Sequence, residues 1–236
     1  MSIRTIQETI KQYANPIKAS SLQKFFQTHR NGYGEGDKFL GIIVPNIRKI
    51  AKTYRDIPLI DIQKLLDSIY HEYRMTGLYI LIYQYEKADE TVQKKLYKFY
   101  LKNLQAVNNW DLVDTTTPNI MGHYIYHHLE QKKILYKLVI SKNLWKRRIA
   151  ILATYYFIRK ENVEDTLKIS KLLLYDDHDL IHKAVGWMLR EVGKRDETKL
   201  CTFLDKHHRT MPRTMLRYAI EKLTIEQKRY YMKKLD

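Results

Sequence analysis

The chain has 236 residues, 44% of them hydrophobic, with only eight glycines and five prolines. That is enough for a sizeable core, and it argues against sandwich, barrel and disordered classes. Forty-two Lys and Arg against 26 Asp and Glu leave a formal net charge of +16, which favours a polyanionic partner such as DNA, RNA or an anionic membrane surface. A single cysteine, Cys201, allows no internal disulfide, Cys-type zinc site or iron–sulfur cluster and fits a reducing, cytoplasmic setting. The stretch from Met1 to Ala14 lacks the apolar centre of a signal peptide. The longest strongly apolar run, around Leu78 to Tyr83, is far too short for a bilayer span.

Helical periodicity runs almost end to end. Ile3, Ile6 and Ile10 mark a first amphipathic helix, closed by Asn15-Pro16, and a second runs from about Ala19 to Thr28. The glycine-rich stretch Asn31 to Lys38 reads as a loop; its spacing is not that of a P-loop and no strand precedes it. Pro45 belongs in the first turn of the next helix, and Pro58 opens another with Asp56 as its candidate cap. Further helices are expected over 89–101, 131–140, 144–159, 163–174, 180–192, 211–223 and 225–234. No run of alternating strand character appears and no low-complexity linker divides the chain. The expectation is an all-α fold in a single domain, 1–236.

A repeat underlies these helices. Arg74, Asp111, Arg148, Lys183 and Arg213 recur at intervals of 37, 37, 35 and 30 residues, close to the length of a two-helix repeat of HEAT type. Equivalent helices stacked side by side form an α-solenoid of HEAT-like repeats and align equivalent residues on one face. A concave basic row that follows a phosphate backbone is the expected result. Asp111 interrupts it, and a helix cap or a pair with a neighbouring Arg is the plain explanation. Trp110 and Asp114, four apart, share a helix face if their segment is helical. Trp187 lies two repeats further on, with Arg148 between.

These residues sit in longer runs: Phe39 to Arg48, Asn109 to Asp114, Leu144 to Ala150, His182 through Gly186-Trp187 to Asp196, and Met211 to Ala219. In them the chain resembles, over nearly its whole length, the AlkD-type DNA alkylation repair glycosylases, a family of HEAT-like repeat proteins. The resemblance implies a catalytic aspartate at Asp114, cation-contacting tryptophans at Trp110 and Trp187, and a backbone-binding arginine at Arg148. It implies excision of cationic N3- or N7-alkylated purines from double-stranded DNA, without rotation of the base out of the duplex. No cofactor or metal is expected. Lys38, Arg48, Arg190, Arg213 and Arg217 are further candidate phosphate contacts. A cytoplasmic monomer that acts at the nucleoid, with no membrane partner, completes the expectation.

Alternatives stay open on the residues alone. A tryptophan at helical spacing is commonly core, and Trp145 reads that way. Asp114 can cap the Thr115-Thr116-Thr117-Pro118 segment, and Arg148 can be a structural ion-pair partner. The paired histidines His127-His128 and His207-His208 lack metal-ligand spacing and read as fillers. A non-catalytic HEAT-like module that binds DNA or serves as a protein scaffold is the rival function. An RNA-binding repeat protein is a weaker one, since no one-base-per-repeat code is visible.

Overall fold

The structure, a computed structural model, describes residues 3–233. The expected helix end at Lys234 and the first two residues of the N-terminal stretch lie outside them. The described residues are helical apart from connecting loops and one isolated bridge between Lys38 and Tyr70, as an all-α fold requires. The chain divides into two compact units, Met1–Leu112 and Val113–Asp236.

The first unit contains α1 (Ile3–Lys11), α2 (Pro16–Phe25), α3 (Val44–Thr53), α4 (Leu59–Leu66), α5 (His71–Lys87) and α6 (Glu90–Lys102). Helix α5 is its axis. The apolar run at Leu78 to Tyr83 is the middle of α5, and burial extends around nearly its whole circumference, which is how a helix packed on several sides looks. Helices α3, α4 and α6 pack against it. Asn15 caps α2 through Lys18 N (3.0 Å) and Asp89 caps α6 through Val92 N (2.9 Å), each worth about 1 kcal/mol. Pro45 stands in the first turn of α3 as expected. Asp56 does not cap α4: Pro58 itself is the cap residue, without a side-chain bond, and the exposed Asp56 lies 3.6 Å from Arg55. Helix α2 begins at Pro16, three residues before the expected start, because Asn15 supplies the cap and proline suits a first helical position.

Gly41 explains the Phe39 to Arg48 run. Its φ of +82° is left-handed, and a Cβ there would meet Asn15 O at 2.1 Å. The turn aims the backbone N–H groups of Leu40, Gly41 and Ile42 at the buried Glu72 carboxylate, at 2.9, 2.8 and 3.2 Å.

Helix α7 (Trp110–Thr117) carries the unit boundary, with Trp110 and Asp111 before it and Asp114 after it. The second unit continues through a π-helical turn, Pro118–Gly122, into α8 (His123–His127), α9 (Lys133–Val139), α10 (Leu144–Arg159), α11 (Glu164–Leu172), α12 (Asp179–Gly193), α13 (Glu197–His207), α14 (Arg213–Ala219) and α15 (Ile225–Met232). Pro118 has no N–H to give the preceding turn, and the helix widens there; in the same turn Asn119 Nδ2 donates to Thr115 O, at 2.8 Å. Helix α10 matches its expected bounds, is capped by Asn143 (3.1 Å to Lys146 N) and packs on α9, α11 and α12. Helix α12 in turn packs on α13 and α14, the neighbour-on-neighbour pattern of helical repeats. Gly122 lets the π-turn lie against α10: a Cβ there would sit 2.4 Å from Ala153 O.

Candidate functional site

The repeat register is real in one respect and misleading in another. Arg74, Asp111, Arg148, Lys183 and Arg213 all fall near the starts of α5, α7, α10, α12 and α14, none beyond the fifth residue. The expected row of solvent-facing bases does not form, because Arg74 and Arg148 are each 4% exposed and paired with acids. The recurring spacing marks helix starts; the acid contributed from elsewhere in the unit draws the guanidinium inward. Lys183 pairs with Asp179 at 2.7 Å, and the exposed Arg213 donates to Met232 O at 2.8 Å.

In the second unit Arg148 grips Asp114 with two parallel bonds, Nε to Oδ1 at 2.8 Å and Nη2 to Oδ2 at 2.7 Å, while Nη1 donates to the Leu180 carbonyl. This fork-to-fork geometry fixes the carboxylate plane. The Arg148 side chain is 5% exposed and that of Asp114 18%, so water reaches the acid and hardly reaches the base. Arg148, expected at the DNA backbone, thus has its donors engaged within the chain. Asp114 is not a cap. It lies inside α7, one turn after Trp110. Half-buried Trp187, on α12, packs its ring 5.6 Å from Tyr155 and donates Nε1–H to Glu191 at 3.2 Å. Trp145 is core, as expected.

In the first unit Trp110 ends a ladder of rings. It stacks on Phe26 (5.3 Å), Phe26 on Phe39 (4.9 Å), and Phe39 on His71 (4.6 Å). His71, 2% exposed, lies between two acids: Nε2 is 2.8 Å from Asp111 Oδ2, and Nδ1 is 3.4 Å from Asp37 Oδ2. Asp111 therefore pairs with a histidine and not with an arginine. Asp37 also accepts from Arg74 Nη2 (2.7 Å), Asn108 (3.2 Å) and Asn109 (3.4 Å). Burial pushes the imidazole down, but the Asp111 charge and the bonds to Asp111 and Asp37 outweigh it, and the group is pushed up to about 9. Burial likewise favours a protonated Asp37; the His71 bond and the charges of Arg74 and His71 prevail and hold its carboxyl below the ordinary range.

Asp37 and His71 escaped the sequence reading. A signal existed: Asp37 precedes Arg74 by 37 residues, one repeat interval, at the end of the glycine-rich loop. That loop delivers an acid into the core. Glu191, four residues after Trp187, was also legible from helical spacing.

The remaining basic candidates differ in availability. Lys38, Arg48, Arg213 and Arg217 are exposed, Arg48 with its guanidinium 5.2 Å from the centre of the Tyr79 ring. Arg190 is half-buried and paired with Glu221 and Glu191. Among the described residues no group of three or more His, Cys, Asp or Glu side chains is arranged to hold a metal ion, and no helix is long and apolar enough to cross a membrane.

Known proteins place the fold and these runs in a class. The sequence profile of the DNA alkylation repair enzyme family matches residues 6–223. The chain belongs to that family. Among solved structures it is similar to a predicted DNA alkylation repair enzyme from Enterococcus faecalis, at 17% identity, with 90% of this chain and 97% of that one covered and a TM-score of 0.69. It is also similar to AlkD2 from Streptococcus mutans, at 19% identity, 86% and 96% coverage and a TM-score of 0.53. A third likeness is smu.31 from Streptococcus mutans UA159, at 18% identity, 91% and 98% coverage and a TM-score of 0.55. These identities speak to a shared helical repeat fold. No curated protein matches the chain.

Proposed function

We propose that this member of the DNA alkylation repair enzyme family is a monofunctional glycosylase for cationic N3- or N7-alkylated purines in duplex DNA, with Asp114 as its catalytic carboxylate. One observation carries the reading: an aspartate held in both oxygens by a buried arginine, yet open to water, on the same helix as a half-buried tryptophan one turn away.

The chemistry asks for little more. A purine alkylated at N3 or N7 is already positively charged, so it departs as a neutral base without a general acid. The sugar left behind develops oxocarbenium character, which a fixed carboxylate stabilises. The same carboxylate orients the attacking water and takes its proton. Arg148 keeps the carboxylate in one plane. Trp110 and Trp187 hold the cationic nucleotide by face contacts worth roughly 0.5–2 kcal/mol each. Phosphate contacts fall to the exposed Lys38, Arg48, Arg213 and Arg217, with Arg190 a half-buried addition. The protein works as a monomer in the cytoplasm and leaves the base in the duplex.

The test is incubation with methylated duplex DNA and detection of the released base by mass. Asp114→Asn is expected to lower release by at least about 100-fold with duplex binding retained. Full activity in that variant would sink the assignment. One observation favours a second reading: both Asp114 oxygens are engaged by Arg148, as in a structural pair. A non-catalytic DNA-binding module would bind the duplex and release no base in any form.

A further inference from the structure

The Asp37, His71, Arg74 and Asp111 cluster is more elaborate than a helix needs to stay folded. Two carboxylates face two cations, and with the imidazole protonated the charges balance. Around His71 the charged groups come from every packed segment: Asp37 from the loop, Arg74 from α5 itself and Asp111 from α7. Neighbouring Glu72 turns instead to the 40–42 backbone. Three features then converge on one tryptophan. Asp111 follows Trp110 directly in the first turn of α7, and its second oxygen accepts from Leu112 N at 2.8 Å. Asn109, which donates to Asp37, accepts from Trp110 N at 2.9 Å. The ring ladder from His71 through Phe39 and Phe26 ends on the Trp110 indole. Backbone and side chain of Trp110 are thus both tied to His71, the one through carboxylate and amide bonds and the other through stacked rings.

We propose that His71 and Asp111 are positioning residues for Trp110: their buried ion pair fixes the start of α7 and the ring ladder together, and so sets the indole that meets the cationic nucleotide. The proposal rests on the reading of Trp110 as a substrate contact. It gives Asp111, the acid in an otherwise basic register, a task, since an arginine there would repel the imidazolium and release the helix start.

The test has two arms. In the first, Trp145→Phe and Trp187→Phe leave Trp110 as the only tryptophan, and its fluorescence is followed against pH. A single transition is expected as pH rises through about 9, and His71→Asn and Asp111→Asn are each expected to remove it. In the second, base release is measured at neutral pH in chains that keep all three tryptophans. His71→Asn and Asp111→Asn should each lose about tenfold, the scale of one desolvated cation–π contact. The double variant should lose no more than either single one, because both act on one element. If His71→Asn does not fold, Asp111→Asn carries both arms, since half-buried Asp111 is the more tolerant position. Unchanged Trp110 emission in a folded variant overturns the proposal, as does unchanged base release from one. If the unsubstituted chain releases no base, the glycosylase reading fails while the fluorescence arm still decides whether His71 sets Trp110.

Discussion

In the first unit Asp37 meets Arg74 with side chains 4% and 5% exposed; in the second Asp114 meets Arg148 with 18% and 5%. The parts are the same, an acid and an arginine near a helix start, and in both places the arginine also donates to a backbone carbonyl. They differ in which partner water can reach. Asp37 is enclosed by four donors, one each from His71, Arg74, Asn108 and Asn109, and has nothing left to offer a ligand. Asp114 is held in both oxygens by Arg148 and still keeps part of its side chain in reach of water. The same ion pair is a core clamp in one unit and a presented carboxylate in the other, and solvent access separates the two.

This contrast can be broken by experiment. The largest effect is expected from Asp37→Asn, which strands the buried Arg74 and leaves His71 with Asp111 alone. Removal of one partner from such a pair costs about 3–5 kcal/mol, and Asp114→Asn should cost less than Asp37→Asn, because it leaves one buried cation, Arg148, where Asp37→Asn leaves Arg74 and His71 with only Asp111 between them. Urea unfolding of both variants measures the difference, and equal losses would erase the distinction between them.

A second effect is a pH dependence confined to the first unit. His71 has a folded value of about 9 against 6.5 for the free group. Its contribution is therefore fully present below pH 6.5 and lost as pH rises through about 9. The full size is on the order of 3 kcal/mol. The unfolding midpoint of the native chain should fall over that window more steeply than that of His71→Asn; parallel curves would mean the imidazole is neutral in the folded chain. The smallest effect belongs to the exposed bases. Arg217→Ala should weaken duplex binding alike for all sequences and lower the salt slope by about one, while stability stays unchanged.

The helices were legible because their apolar residues recur at helical spacing. Helix α10 was read to its ends since Asn143 and Lys160 bracket an unbroken pattern. Helix α13 was missed: Leu200, Phe203 and Leu204 are its only buried residues, too few to stand out among charges. The π-turn was not legible either, since a proline after three threonines reads as a stop when nothing shows that Asn119 will cover Thr115 O. Of the proposed site, Trp110, Asp114, Arg148 and Trp187 were named through the resemblance. Their partners were not, because Asp37 and His71 are 34 residues apart and periodicity is silent on which distant side chains meet.

Gly122 has a mechanical consequence. It is where the helical rod that carries Asp114 touches the helix that carries Arg148, backbone against backbone at Ala153. The Asp114–Arg148 pair is the second point of attachment, eight residues away, or about 12 Å along the axis. Two attachments so far apart, with the His123 and Tyr126 rings against Tyr156 as well, restrain the rod from swinging. Any side chain at Gly122 would pry the rod outward at one attachment and tilt it about the other, and the carboxylate would turn without a single atom near it having been replaced.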